Sequence, residues 1–254
     1  MSGTFTPNPA AAPLHKQVRA HAAMEARLML RNGEQLLLAM VIPILVLVGA
    51  VLGADRLDLN LSARAVDVFT PGVLALAVMS TSFASLAIAT GFERRYGVIK
   101  RLGSSPLPRH GLLLGKIQAL LMIQVLQLLV ICVVAFALGW EPHVGFLPFF
   151  SALLLGTAAF ASLGLFVAGV MRAEATLAAA NLLYLLMMAG GAVVLPASAY
   201  GGFGRIASYL PSGALGEAMR EALQHGSWSL PGLGVMAAWA VLGIFLTART
   251  FKWE

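Results

Sequence analysis

The sequence predicts an all-α polytopic membrane protein, and three observations carry that prediction. Its 254 residues are 59% apolar and only 11% charged, against about 45–50% and about 25% in soluble domains; mean hydropathy is +0.85. Six apolar stretches, near 36–54, 69–91, 112–139, 144–171, 175–195 and 230–248, each provide about the 20 residues that a helix needs to cross a bilayer. None contains Asp, Glu, Arg or His, and the one Lys, Lys116, stands at the entrance to the third. No loop between them is long enough for an independent domain, so 14–254 is expected to form a single transmembrane domain.

Residues 1–13 are rich in Pro, Ala, Ser and Thr without periodicity and are expected to be a disordered tail rather than a secretory signal. Residues 14–32 read as an amphipathic helix. Leu14, Val18, Ala22, Leu28 and Met29 fall on one side, and Lys16, Arg19, Arg27 and Arg31 on the other. Such a helix before a first span should lie along anionic headgroups at the interface. Glu25 falls within the apolar sector, where a local salt bridge or a partner's cation would have to satisfy it. Pro43 in the first span and Pro148 in the fourth are expected to kink or start helices.

The long segment between the fifth and sixth spans, Pro196 to Ser229, reads as an outer helical segment, re-entrant or interfacial. Gly201, Gly202 and Gly204 make a bend, and Pro211 can open a helix at its first position. Leu215, Met219 and Leu223 then repeat every four residues, with Glu217, Arg220, Glu221 and Gln224 pointing elsewhere and Glu217 near enough to Arg220 to pair.

Six spans place both termini on one side, and the basic residues select it. With the termini inside, 13 of the 17 Lys and Arg residues are cytoplasmic and only Arg56, Arg64, Arg205 and Arg220 are outside. The net charge of +6 is thereby explained by topology, and no basic face interleaved with aromatics points to nucleic acid. The expected location is the inner (plasma) membrane, multi-pass, with both termini cytoplasmic.

The densest charge lies between the second and third spans. From Gly91 to Lys116 the chain carries Arg94, Arg95, Lys100, Arg101, Arg109 and Lys116 against one acid, Glu93. Phe92, Tyr96, Ile99 and approximately Leu102 share a helical face, which leaves Glu93, Arg94 and Arg101 for water or a partner. Ser104, Ser105, Pro106 and Pro108 then turn the chain back. A short helix held across the ends of two spans is a lever on both. A purely topological anchor would need neither Glu93 nor an aromatic face.

The chain has no energy source or catalytic centre of its own that the sequence reveals. Gly111 to Lys116 reads G-L-L-L-G-K, one residue short of a phosphate-binding loop and followed by Ile117 where a hydroxyl is required. No acid lies within a span to carry protons or sodium. His15, His21, His110, His143 and His225 are scattered, and Cys132 alone makes neither an intrachain disulfide nor a thiolate cluster. No catalytic or metal site and no cofactor bound by this chain is expected.

These features together resemble the permease subunits of the ABC type-2 transporter family, which includes daunorubicin-type drug exporters and polysaccharide and lipid exporters. The resemblance covers nearly the whole chain: amphipathic N-terminal helix, six spans, Glu-Arg-rich first cytoplasmic loop and long outer segment before the last span. Its most specific part is Glu93-Arg94-Arg95-Tyr96-Gly97, then Pro106, then Gly115-Lys116. It implies that this loop is a cytoplasmic coupling helix fitting a groove on a separate ATPase subunit, with the N-terminal helix alongside. The residues placed at the ATPase are then Phe92, Glu93, Arg94, Arg95, Tyr96, Gly97, Lys100 and Arg101. Lys16, Arg19, Glu25, Arg27 and Arg31 belong to the interfacial helix. ATP and magnesium would reside on the ATPase, and the other partners would be a second copy or a similar permease, and membrane lipids.

Polar residues within the spans are few and neutral. Ser82, Ser85, Gln124, Asn181 and Tyr184 are candidates for a substrate path, which in a Met- and Phe-rich setting suits a hydrophobic or amphiphilic cargo, drug-like or lipid. Export of a lipid-linked glycan or haem is an alternative cargo. A non-transporting scaffold that recruits a cytoplasmic protein is the alternative from another class.

Overall fold

The computed structural model describes residues 12–56, 63–103 and 107–250, and among these it is helical with no strand. Residues 1–11 of the predicted tail, most of the first outer loop, the predicted turn at Ser104–Pro106 and Lys252 lie outside the described residues. The helices are α1 (Leu14–Arg31), α2 (Gly33–Arg56), α3 (Ala65–Met79), α4 (Leu86–Arg95), α5 (Val98–Gly103), α6 (Arg109–Ala137), α7 (Phe146–Val170) and α8 (Ala173–Gly190). They continue with α9 (Gly204–Ala207), α10 (Pro211–Arg220) and α11 (Leu230–Thr250). Among the described residues, five helical rods are long and apolar enough to cross a membrane: Ala65–Arg95, His110–Ala137, Phe146–Val170, Ala173–Gly190 and Leu230–Thr250. The first predicted span lies in α2, whose described apolar part is the shorter Ala39–Ala54.

The rod Ala65–Arg95 is the axis of the fold. α3 and α4 join through a π-helical turn, Ser80–Ser85, and every residue from Val66 to Leu86 but Asp67 is buried. π turns interrupt helices where an extra residue is accommodated, often at functional positions. Here the turn presents Thr81 and Ser82 to α6. Thr81 donates to Gln127 Oε1 (2.6 Å), Gln127 Nε2 donates to the carbonyl of Ala39 (2.5 Å), and Gln124 Nε2 donates to Ser82 Oγ (2.6 Å). Thr157 on α7 completes the set by donating to Gln124 Oε1 (3.1 Å). These bonds tie α2, the central rod, α6 and α7 together where water cannot compete.

The outward faces are apolar, as lipid contact requires. Met122, Val125, Leu129, Val133 and Phe136 on α6, Leu182, Leu185 and Leu186 on α8, and Val241, Ile244 and Phe245 on α11 are all exposed. α7 and α11 pack where Ser162 meets Gly243, and the Thr247 hydroxyl donates to the Ser162 carbonyl (2.9 Å). Pro43 falls inside α2 and Pro148 in the first turn of α7, while Pro71 sits inside α3.

Three expectations change in this part of the chain. α8 ends at Gly190 rather than running to 195, and the freed carbonyls of Ala192, Val193 and Val194 accept hydrogen bonds from Arg220 (3.1, 3.2 and 3.3 Å). The helical spacing predicts an Arg220 that points away from the apolar face of its helix. It is instead 5% exposed, because the carbonyls it reaches lie outside any helix in a packed part of the fold and need a donor. Of the two readings of the outer segment, re-entrant or interfacial, α10 does not fit an exposed interfacial helix. All its residues but Glu217 are buried, among them Leu215 and Met219, since Gly213, Ala214, Gly216 and Ala218 let it press into α3, α7 and α11. The bend before it does occur, with Gly201 at φ 55°, and Glu217 does pair with Arg220 (3.4 Å).

Candidate coupling site

The site is assembled where α1, α4, α5 and the first turns of α6 converge. α4 ends at Arg95. Tyr96 and Gly97 turn the chain, and Gly97 adopts φ 67°, a conformation that residues with a Cβ avoid. α5 then starts at Val98. The unbroken helical face expected from Phe92 through Leu102 is therefore divided. Phe92 and Tyr96 keep their register and stack with ring centroids 6.2 Å apart, but the helix axis changes after Gly97.

Beneath this turn lies a half-buried ionic joint. Lys116 Nζ, in the second turn of α6, is 2.6 Å from Glu93 Oε1 and 2.8 Å from Oε2. The same ammonium is 3.6 Å from Glu25 Oε2 on α1, and Glu25 Oε1 is 3.6 Å from His21 Nε2 one turn earlier. One cation thus holds carboxylates from two helices. Charges withdrawn from water need such pairing, since an uncompensated one costs several kcal/mol. The sequence predicts that Glu93 faces water or a partner; its side chain is only 19% exposed because Lys116 draws it inward.

α1 is shaped to reach this joint. Its buried residues are Val18, His21, Ala22, Glu25 and Ala26, a helical stripe of the i, i+3, i+4, i+7, i+8 kind. That stripe packs on α6, with Val18 joining Leu107 and Leu112 in a small apolar cluster. Leu14 and Leu28, assigned to the lipid-facing side, are exposed. Glu25 lies in the apolar sector because that sector faces Lys116 as well as carbon. Gly115 makes the approach possible, since a Cβ there would lie 2.5 Å from His21 Cδ2. Burial pushes the His21 imidazole below its ordinary value of 6.5, with Lys116 acting in the same sense and Glu25 and the backbone of Leu112 opposing.

The remaining residues assigned to the ATPase side divide into those engaged with the α7–α8 turn and those that are not. Arg94 donates to the carbonyl of Ala168 at the end of α7, and Arg95 pairs with Glu174 at the start of α8. Both arginines therefore tie the α4 end to the α7–α8 turn. Tyr96 (64% exposed) and Arg101 face outward. On α1, Lys16, Arg19, Arg27 and Arg31 are exposed. Nothing in the sequence singles out His21 or Glu174 as members of this assembly, and Lys116 is marked there as a cation at the entrance to the third span and the end of the motif, not as the partner of Glu25 and Glu93.

The path candidates are dispersed. Ser82 and Gln124 are bonded to each other inside the helix packing, and Ser85 is buried beside them in the π turn. Tyr184 is buried on α8, and Asn181 is exposed on the same helix.

A family model described as ABC-2 family transporter protein matches residues 52–249, from the end of α2 to the end of α11. No curated protein and no solved structure matches the chain. α1, which carries Glu25 and His21, precedes the matched span, yet it is locked to Lys116 inside it. The chain belongs to the ABC-2 transporter family and is a membrane-spanning transport subunit of an ABC transporter.

Proposed function

We propose that this subunit is the permease of an ATP-driven exporter of hydrophobic or amphiphilic molecules, with ATP hydrolysed on a separate nucleotide-binding subunit. The observation that carries the proposal is the joint of Lys116 with Glu93 and Glu25 beneath an outward-facing Tyr96 and Arg101. A force applied to that outer surface passes directly to α4, the stem of the central rod, to α6 and to α1. In this reading Phe92 to Gly97 and Lys100 to Arg101 form the coupling element, both termini are cytoplasmic, and the membrane is the plasma membrane.

A hydrophobic cargo fits the cleft between α2, α3 and α8. It is lined by Val46, Gly49, Phe69, Met188, Leu195 and Tyr200 and holds about 370 Å³. Two permeases, identical or similar, would complete the transporter, with Asn181 on the exposed face of α8 lining the path between them.

Purification from native membranes under mild conditions tests the proposal. An ATPase carrying a phosphate-binding loop is expected to accompany the wild-type chain. Its yield is expected to fall with Tyr96→Ala combined with Arg101→Glu while the permease stays folded. Purification without any ATPase, together with unchanged transport by that variant, would refute it.

A further inference from the structure

A second charged feature has no part in the joint. The ends of α4, α7, α8 and α11 surround a cleft of about 860 Å³. Arg94, Arg95, Arg172 and Arg249 line it against one acid, Glu174, an excess of three positive charges. Arg94 and Arg95 are engaged with Ala168 and Glu174. Arg172 is exposed and no described residue forms an ion pair with it. It also occupies the position before the first turn of α8, where its side chain makes no cap bond and the helix dipole disfavours a cation. An anion in the cleft would reverse that penalty and accept from the first amides of α8, which lack intrahelical partners. Arg249 lies over the Phe245 ring, its guanidinium carbon 4.3 Å from the centroid, and likewise has no ion pair among the described residues.

What the cleft adjoins selects the class of anion. Val170 (56% exposed) and Met171 (41% exposed) form its rim, and Val241, Ile244 and Phe245 continue an exposed apolar face up α11 from Arg249. Charge and grease meet at the level where four spans end. A free phosphate would use only the arginines, whereas a phospholipid uses both, with its headgroup in the cleft and its acyl chains along α11. We infer that this cleft binds the headgroup of an anionic phospholipid. The inference takes from the proposed topology only the leaflet, the cytoplasmic one.

Native mass spectrometry of the purified transporter complex, titrated with phosphatidylglycerol or phosphatidylcholine, tests it. Wild type is expected to retain phosphatidylglycerol preferentially. A basic residue near an anionic surface strengthens binding by about fivefold, so R172Q and R249Q should each weaken retention by that factor and the double variant by about twenty-five-fold. R172K and R249K should retain most of it, and R64Q, at the opposite end of the rod, all of it. Equal retention of the two lipids, or an unaffected double variant, overturns the inference. Displacement by millimolar inorganic phosphate overturns it in favour of a free-anion site. Retention by the permease alone that vanishes once the ATPase is bound overturns it by assigning the cleft to that partner instead. ATPase copurification, scored on the same samples, reports on the permease reading independently of the lipid result.

Discussion

Lys116 Nζ lies within hydrogen-bonding distance of both carboxylate oxygens of Glu93, 2.6 and 2.8 Å away, across 23 residues of sequence. With Glu25 at 3.6 Å, this cation holds both the N-terminal helix and the stem of the coupling turn to α6. Lys116→Ala would leave two carboxylates facing each other with nothing between them. The side chains of Lys116 and Glu93 are 16% and 19% exposed, so the loss falls between that of a surface pair and that of a fully buried one, about 2 kcal/mol. Thermal unfolding of the purified protein should show the drop, and ATPase association should fall with it. The exchange Glu93→Lys with Lys116→Glu should recover only part, because the carboxylate introduced at position 116 would face Glu25. Full recovery would show that Glu25 contributes nothing.

The second prediction concerns pH. Burial lowers the His21 pKa in the docked helix below 6.5, so the undocked helix binds the proton more readily. Linkage then makes docking of α1 insensitive to His21 above pH 6.5 and progressively weaker as pH falls below it, by up to about 1.4 kcal/mol per unit until the lowered value is reached. The groups facing His21 are Glu25, Lys116 and the backbone of Leu112. A spin label at Met24→Cys, in a Cys132→Ser background, should grow more mobile between about pH 7.5 and pH 5.5, a window that brackets the ordinary imidazole value. His21→Gln should flatten that response. A mobility that rises equally in both proteins would place the titrating group elsewhere.

The legible parts of this protein are those written in local pattern. The apolar runs predict the long helices because lipid and packing both demand carbon at nearly every position. Pro211 and the spacing of Leu215, Met219 and Leu223 mark α10. Its depth is not legible, because Gly213, Ala214, Gly216 and Ala218 read as neutral on a helical wheel while in the fold they permit close approach on the remaining faces. Glu93 and Lys116 are each visible as charges, but their pairing depends on the turn at Gly97 and on α6 returning beside the end of α4, which no local pattern states. Glu25 is visible as an anomaly; its resolution requires knowing that α1 rests on α6 and not on lipid alone. Arg220 is misplaced by local pattern because a guanidinium that serves carbonyls 26 to 28 residues earlier has no signature in its own helix.

Arg220 gives the third prediction. It satisfies three carbonyls released where α8 ends and pairs with Glu217 at 3.4 Å. Arg220→Ala should cost about 3 kcal/mol, because three carbonyls lose their donor at roughly 1–3 kcal/mol for each that stays buried, while Glu217, its side chain 45% exposed, is left to water. Arg220→Lys should recover only a fraction, since an ammonium is a compact point donor and lacks the planar fork that spans three acceptors. Arg205→Ala, at an exposed position in the same outer segment, should stay within about 0.5 kcal/mol. Unfolding midpoints in detergent distinguish these cases. A stable Arg220→Ala protein would mean that water reaches the 192–194 carbonyls.

The last prediction separates structural polar groups from transport groups. Gln124 is 1% exposed and commits both ends of its amide, donating to Ser82 and accepting from Thr157. Asn181, on the outward face of α8, has no such commitments among the hydrogen bonds of the described residues. Gln124→Leu should therefore lower stability by about 0.6–1.7 kcal/mol, the span of interhelical hydrogen bonds in membranes. Its effect on transport should track folded protein, equally for every cargo. Asn181→Ala should leave stability within about 0.5 kcal/mol yet change the relative rates at which different amphiphiles are moved. Transport by reconstituted complexes, normalised to folded permease and compared across several cargoes, reads both effects. Altered cargo preference in Gln124→Leu, with none in Asn181→Ala, would reverse the assignment and put the path through the seam between the central rod and α6.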